Sequence, residues 1–219
     1  MSYQAAIFDM DGLLIDTESI YKNEMMRAVQ EAGIEMDEAY YRQFAGVSEE
    51  KMKQIFKHDF PELSEEDINA SFDKSKARIA QRFMEGEVEV KPGVTTLLDQ
   101  LEEKQIPHLV ATSNESAVAN LLLEKTGLAQ YFNQVITADD VHHAKPNPEI
   151  VNVALKDLNV AADEAVMFED SLAGVEACTR AGVDVVMIPD LIQPNDYAKE
   201  HALAIYPTID QATALFDDK

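Results

Sequence analysis

The sequence predicts an α/β protein: a parallel sheet core with helices on both faces and an all-helical domain inserted after the first strand. Three observations lead there. From Pro92 onward, short apolar runs alternate with helical stretches through short joins, the pattern of a parallel sheet covered on both faces. Residues 17 to about 88 have helical spacing and no strand. One earlier apolar run, Gln4 to Phe8, lies on the other side of that helical stretch. The economical division is a core of residues 1–16 and 89–219 and a helical domain of residues 17–88.

The elements follow in order. Gln4 to Phe8 is an apolar run bounded by polar residues, as in a buried strand. After Gly12 the spacing turns helical through Ile20, Tyr21, Met25, Ala28, Val29 and Ala32, and Gly33 closes the helix. Asp37 and Ser48 can cap two short helices, and Ser64 with Asp67 resembles a capping box that opens a longer one. Pro92-Gly93 opens the first helix of the second half. Strands are then predicted at 108–112, 134–138, 165–169 and 183–188, with Leu121 to Lys125 part of a helix ended by Gly127 and further helices at Glu149 to Leu158 and Leu172 to Ala181.

Composition limits what such a fold can bind. The chain has 219 residues and 46% apolar content, with a formal net charge of −23. That surface is a poor partner for nucleic acid, because phosphate backbones need clustered Lys and Arg. No apolar run is long enough to cross a bilayer, and no signal peptide is evident. Cys178 is the only cysteine, so no internal disulfide can form and a reducing cytoplasm fits. It sits in an apolar helical pattern and reads as a small buried side chain. A monomer is expected. Any phosphate site must be local, built from a metal ion, backbone N–H groups and a few cations.

Ligands of open parallel sheets bind at the carboxyl ends of the strands, and four such ends carry suitable groups. Asp9 and Asp11 end the first strand, and they are the only Asp-x-Asp in the chain. Gly12 lets the backbone turn sharply there, and successive N–H groups in such a turn can cradle an anion. Carboxylates held together need a cation, and Mg²⁺, with its preference for oxygen, fits. Glu169-Asp170 ends another strand, either as acids at a helix N-terminus or as further metal ligands. Thr112 can cap a helix or bind a phosphoryl oxygen, and spacing does not separate the two roles. Lys145 lies in a loop stiffened by Pro146 and Pro148, where it is either solvated or neutralises charge beside the acids. Its loop position predicts little contribution to packing. His142 and His143 lack further ligands at metal spacing, which favours a structural or solvent role.

Four stretches, "FDMDGLLIDTE", the Thr112 strand end, "KPNPE" and "FEDSLAGVEA", resemble the ordered motifs of the haloacid dehalogenase superfamily. The helical insert is similar to the C1-type cap of its β-phosphoglucomutase-like branch. The resemblance covers nearly the whole chain and implies a Rossmann-like core. It implies that Asp9 attacks phosphorus and that Asp11 acts as acid and then base. It also implies Mg²⁺ held by Asp9, the Asp11 carbonyl and Asp170, with Glu169 direct or through water. Thr112, Lys145 and the strand-end groups of Met10, Gly12, Ser113 and Asn114 would hold the phosphoryl group. The superfamily's dehalogenases lack the second aspartate, so Asp11 argues against that activity.

In the insert, the candidate substrate contacts are Gly46, Ser48 and Glu49 in the loop "AGVSEE", with Lys74 and Lys76 on a helix. The β-phosphoglucomutases carry an arginine where this chain has Glu49 and a histidine where it has Tyr21. Both departures argue for a phosphatase of small phosphorylated metabolites, perhaps sugar phosphates, over a sugar-phosphate mutase. A phosphonate hydrolase would need a cap lysine forming a Schiff base. A non-catalytic regulatory protein on the same fold is opposed by the intact Asp9, Asp11, Lys145 and Asp170.

Overall fold

The computed structural model describes residues 3–44 and 47–217. Contacts divide the chain into two compact units: Met1–Asp16 with Glu89–Lys219, and Thr17–Val88. In chain order the elements are β1 (Ala5–Phe8), α1 (Glu18–Glu31), α2 (Glu38–Arg42), α3 (Glu49–Asp59), α4 (Glu65–Glu85), α5 (Val94–Glu103), β2 (His108–Ala111), α6 (Ser116–Lys125), β3 (Val135–Ile136), α7 (Glu149–Leu158), β4 (Ala165–Glu169), α8 (Leu172–Ala181), β5 (Asp184–Met187), α9 (Asp196–His201) and β6 (Ala204–Ile205). Short 3₁₀ turns join several of them, and one, Ile209–Phe216, closes the described chain.

The sheet order is β3-β2-β1-β4-β5-β6, with every pair parallel. Successive strands add outward from β1 on one side and from β4 on the other. The order therefore reverses between β1 and β4, and the crevice at their carboxyl ends is where ligands of such sheets bind. Register places Phe8 beside both Val110 and Phe168, so the residues that follow emerge together at one edge. β1 has no exposed residue among its four, as a central strand covered on both faces must be.

Alternation along the strands feeds two faces. Ala5, Ile7, Leu109, Met167 and Val185 pack with Ile150, Ala154, Val175 and Cys178 of α7 and α8. Phe8 stacks on Phe168 with ring centroids 5.0 Å apart, and Phe168 meets Phe216 of the closing 3₁₀ segment. Cys178 is buried in this core, and burial pushes its thiol well above the usual range. It is a packing residue there.

The helical unit holds together by local signals and aromatic packing. Asp37 accepts from the Tyr40 N–H, Ser48 from Lys51, and Ser64 with Asp67 forms a complete capping box. Phe56 is buried against Phe44, Phe60 and Phe72. Gly86, with φ of 75°, ends α4 in the left-handed conformation that suits glycine. No helix among the described residues is long and apolar enough to cross a membrane.

The strands expected near 134–138 and 183–188 are shorter than the sequence reading, and β6 was not expected at all. Ala204–Ile205 is only two residues long, so it carries no alternation to read.

Candidate active site

Four chain segments meet at the carboxyl end of the sheet. β1 runs straight into Asp9, whose N–H bonds the Phe168 carbonyl of β4 at 3.0 Å. The ladder thus extends one residue past the strand and fixes Asp9 next to Glu169. The chain then folds back, with the Gly12 N–H donating to the Ile15 carbonyl and Leu14 and Ile15 donating to the Met10 carbonyl. Gly12 adopts φ of 75°, and a Cβ there would lie 2.4 Å from an Asp170 carboxylate oxygen. Both conformation and space therefore demand glycine. Met10 itself is fully buried, so only its main chain is available to a ligand.

Thr112 follows β2 and is also fully buried. Its hydroxyl accepts from the Asn114 N–H at 3.1 Å and lies 3.5 Å from Asp11 Oδ2. The helix cap is Glu115, so Thr112 organises the turn rather than starting α6. Asn114 Nδ2 donates to Asp11 Oδ2 at 2.6 Å, which aims the Asp11 carboxyl from the second segment. Ser113 is exposed in the same turn.

Lys145 corrects the expectation of a loosely packed loop lysine. Its side chain is only 5% exposed. Its ammonium donates to Asp9 Oδ1 at 2.6 Å, Glu169 Oε1 at 2.6 Å and the Ala111 carbonyl at 3.1 Å. Three donors meet three acceptors, so the group is saturated. Its loop is held from behind. The Glu149 carboxylate accepts from the His142 and His143 N–H groups and pairs with the His143 ring, and Arg180 donates to the Pro146 carbonyl. The two histidines thus hold the loop in shape.

Glu169 is completely buried. Its second oxygen accepts from the N–H groups of Asp170 and Ser171 and from the Ser171 hydroxyl. Ser171 is also the cap of α8, accepting from Gly174. A Cβ on Gly174 would fall 1.9 Å from the Glu169 carboxyl. Sequence reasoning overlooked Gly174, although a glycine inside the helical pattern of "LAGVEA" is itself a sign of close packing. It also overlooked Glu149, and Asp190, which pairs with Lys91 at 2.8 Å and has an oxygen 3.4 Å from the Cβ position of Gly12.

Charge is unbalanced here. Burial pushes the Asp9 carboxyl up to about 7; Lys145 opposes the rise, while Glu169 and Asp11 add to it. For Lys145 burial favours the neutral amine, but Asp9 and Glu169 outweigh it and hold the ammonium charged. One lysine thus serves several acids. Asp9, Glu169 and Asp170 can each bring a carboxylate oxygen within 4.8 Å of the others, and all three are buried. Hard oxygen donors with a surplus of negative charge fit a hard divalent cation. The glycine at position 12 leaves the space that the Asp170 carboxylate occupies.

The remaining candidates belong to the helical unit. Glu49, in the first turn of α3, bridges Lys53 at 2.8 Å and Lys76 at 2.6 Å. It is therefore a charge already compensated by two lysines. Lys74 instead lies 3.7 Å from Glu31. Ser48 is an exposed cap. Gly46 lies outside the described residues.

The chain belongs to the family of haloacid dehalogenase-like hydrolases, whose family model matches residues 6–188. It is similar to the phosphorylated carbohydrates phosphatase of Thermotoga maritima, with 34% identity over 185 residues, 83% of this chain and 82% of the relative. The fructose-1-phosphate phosphatase of Escherichia coli is 29% identical over 185 residues, 84% of this chain and 95% of the relative. Among solved structures, a Thermotoga maritima protein described as a candidate beta-phosphoglucomutase matches with a TM-score of 0.79 and 30% identity, covering 97% of each chain.

Proposed function

We propose that this enzyme is a Mg²⁺-dependent phosphatase of small phosphorylated metabolites, sugar phosphates among them, working through a phosphoryl group carried on Asp9. The observation that carries the reading is the saturated Lys145 ammonium between Asp9 and Glu169, beside two further acids. In this reading the α/β unit is the catalytic core and the helical unit a cap that selects substrates. The protein works as a monomer in the cytoplasm, where its lone buried cysteine stays reduced.

Asp9, Glu169 and Asp170 would hold the metal ion, with the Asp11 carbonyl. When bound, the ion supplies positive charge that lets the anionic phosphoryl group approach the acids. The chain's own groups do the rest. An Asp9 carboxylate oxygen forms a bond to phosphorus as the bond to the leaving oxygen breaks. Protonated Asp11 gives its proton to that oxygen, so an alcohol departs. Asp11, now a carboxylate, takes a proton from water as the water oxygen bonds to phosphorus. The Asp9–phosphorus bond breaks, releasing phosphate and restoring both acids. Asn114 holds Asp11 in place through both steps. Lys145 keeps Asp9 ionised and, with Thr112 and the backbone of residues 10–12 and 113–114, offsets charge on the transferring group.

The likeness to the candidate phosphoglucomutase of Thermotoga maritima favours one other reading, a sugar-phosphate mutase. Such an enzyme must grip a second phosphate, and the Glu49–Lys76 pair speaks against this. A panel of phosphorylated metabolites, assayed for released phosphate with chelator and then with added Mg²⁺, tests the proposal. Release that stops with chelator and returns with Mg²⁺ is expected. Isomerised hexose phosphate without release would favour the mutase, and full activity in chelator would refute the metal requirement.

A further inference from the structure

One acid at the carboxyl end of the sheet has no part in the chemistry proposed above. Asp190 follows β5, and Ile188, two residues before it, donates to the Glu169 carbonyl at 2.7 Å. The sheet therefore fixes its place relative to the acid cluster. Asp190 Oδ1 accepts from the Lys91 ammonium at 2.8 Å. Lys91 is anchored as well. Its N–H donates to the Leu14 carbonyl at 2.9 Å, and Val90 pairs with Ile15 in an antiparallel bridge. The ion pair thus ties the loop after β5 to the segment that carries Asp11 and Gly12.

The second oxygen of Asp190 sets this pair apart from a simple tie. Oδ2 accepts no hydrogen bond among the described residues. It lies 3.4 Å from the Cβ position of Gly12, and Asp170 Oδ2 lies 2.4 Å from the same point. Two carboxylates from different strand ends therefore flank one gap, and the gap exists because residue 12 has no side chain. The side chains of Lys91 and Asp190 are 22% and 19% exposed, so water reaches them only sparingly. Asp9, Asp11, Glu169 and Asp170 already crowd this edge, and Lys145 is taken up by Asp9 and Glu169. A further carboxylate beside Asp170 adds repulsion unless it is held and neutralised. Lys91 does both.

We propose that Asp190 is a positioning residue for the divalent cation of the acid cluster. Its Oδ2 accepts a hydrogen bond from the ion's hydration water, while Lys91 holds the carboxylate in that orientation and limits the charge the ion feels. Mg²⁺ sheds water reluctantly and keeps several waters when protein carboxylates bind it. A carboxylate beside a ligand, but outside the ligand set, is the partner such water needs, and partners of this kind tune the affinity of a metal site. The inference rests on the Mg²⁺ requirement proposed above and adds to it a residue that does not touch the ion.

The test measures Mg²⁺ binding to the full chain by calorimetry, at fixed pH and ionic strength and without substrate. Thermal melts in chelator establish that each variant is folded. The unaltered protein should bind Mg²⁺ saturably, and Asp170→Asn should lose that binding. Asp190→Asn should weaken it about tenfold, the usual lower bound for an outer partner of a metal site. Lys91→Met should bind Mg²⁺ at least as tightly as the unaltered protein, because the Asp190 charge is no longer offset. A pair that only tied two segments together would make the two variants behave alike. The proposal is overturned if Asp190→Asn binds Mg²⁺ undiminished, or if Lys91→Met weakens binding as much as Asp190→Asn does. Binding that survives Asp170→Asn lies away from the acid cluster and overturns it too. No Mg²⁺ uptake by the unaltered protein would defeat the metal requirement itself and the inference with it, whereas undiminished uptake by Asp190→Asn defeats the inference alone. Should Asp190→Asn fold poorly, Lys91→Met still decides, since weaker binding there contradicts the proposal.

Discussion

The two units treat charge in opposite ways. In the α/β unit, Lys145, Asp9 and Glu169 are buried together, and their contacts are short and saturated. In the helical unit the ion pairs of Lys53, Lys74 and Lys76 with Glu49 and Glu31 lie at the surface, where side chains remain 28% to 58% exposed. Water competes for the second kind, so each is worth little. The first kind is costly to assemble and costly to break. A fold that buries an acid surplus spends stability on it, and the position of that surplus marks where chemistry is expected.

The largest effects should come from breaking the buried set. Asp9→Asn should reduce phosphate release to background under saturating Mg²⁺, since an amide is a poor nucleophile. Asp11→Asn should leave metal binding largely intact and slow turnover by about 10²–10⁴-fold, the usual worth of a proton donor and acceptor. Near-normal kcat in either variant would contradict its role.

Lys145→Ala should lower kcat/KM by about 10²–10³-fold, and in addition cost about 3–5 kcal/mol of stability, because two buried carboxylates lose their cation. Thermal melts and kinetics on one preparation check both. A lysine that mattered only to catalysis would leave the melt unchanged.

Next comes the metal-free pH response. The Asp9 carboxyl is raised from its ordinary value near 3.8 to about 7, by burial first. Between those values the folded protein keeps a proton that the unfolded chain has lost, so stability falls as pH rises through the window. Asp9→Asn should remove that part of the slope. With chelator present, the variant should gain in melting temperature on the unaltered protein from pH 4 to pH 8. A constant difference across that range would contradict it.

Gly174→Ala sharpens the comparison from the packing side. In an ordinary exposed helix this change gains about 0.5–1 kcal/mol. Here it should destabilise and impair activity, because the new methyl meets the Glu169 carboxyl. The smallest effect is expected for Lys74→Ala, whose pair with Glu31 is exposed. Its melt should move by less than about 1 kcal/mol in stability and its kcat should not change.

Much of this was legible in the sequence, for physical reasons. α7 and α8 were readable to the residue because their ends carry strong signals, Pro148 before one and Gly182 after the other. The acids at strand ends were readable because a sheet core must end on polar residues at its binding edge. Thr112 was ambiguous because a hydroxyl at a strand end bonds whatever turn follows, and only coordinates show which. Lys145 was expected to contribute little packing, and its burial escaped the sequence because burial of a loop side chain depends on strands far away in sequence. The pairing of Glu49 with Lys76 joins two helices, and no spacing rule reaches that far.

The most direct test of the central claim is to trap the phosphoryl group. Asp11→Asn is mixed with Mg²⁺ and a reactive aryl phosphate, quenched in acid within one turnover, digested and analysed by mass spectrometry. The expected result is one phosphoryl group on the peptide carrying Asp9, absent from Asp9→Asn and removed by hydroxylamine. Release of aryl alcohol in a stoichiometric burst with no phosphoryl group on that peptide, or with the group elsewhere in the chain, would contradict the account.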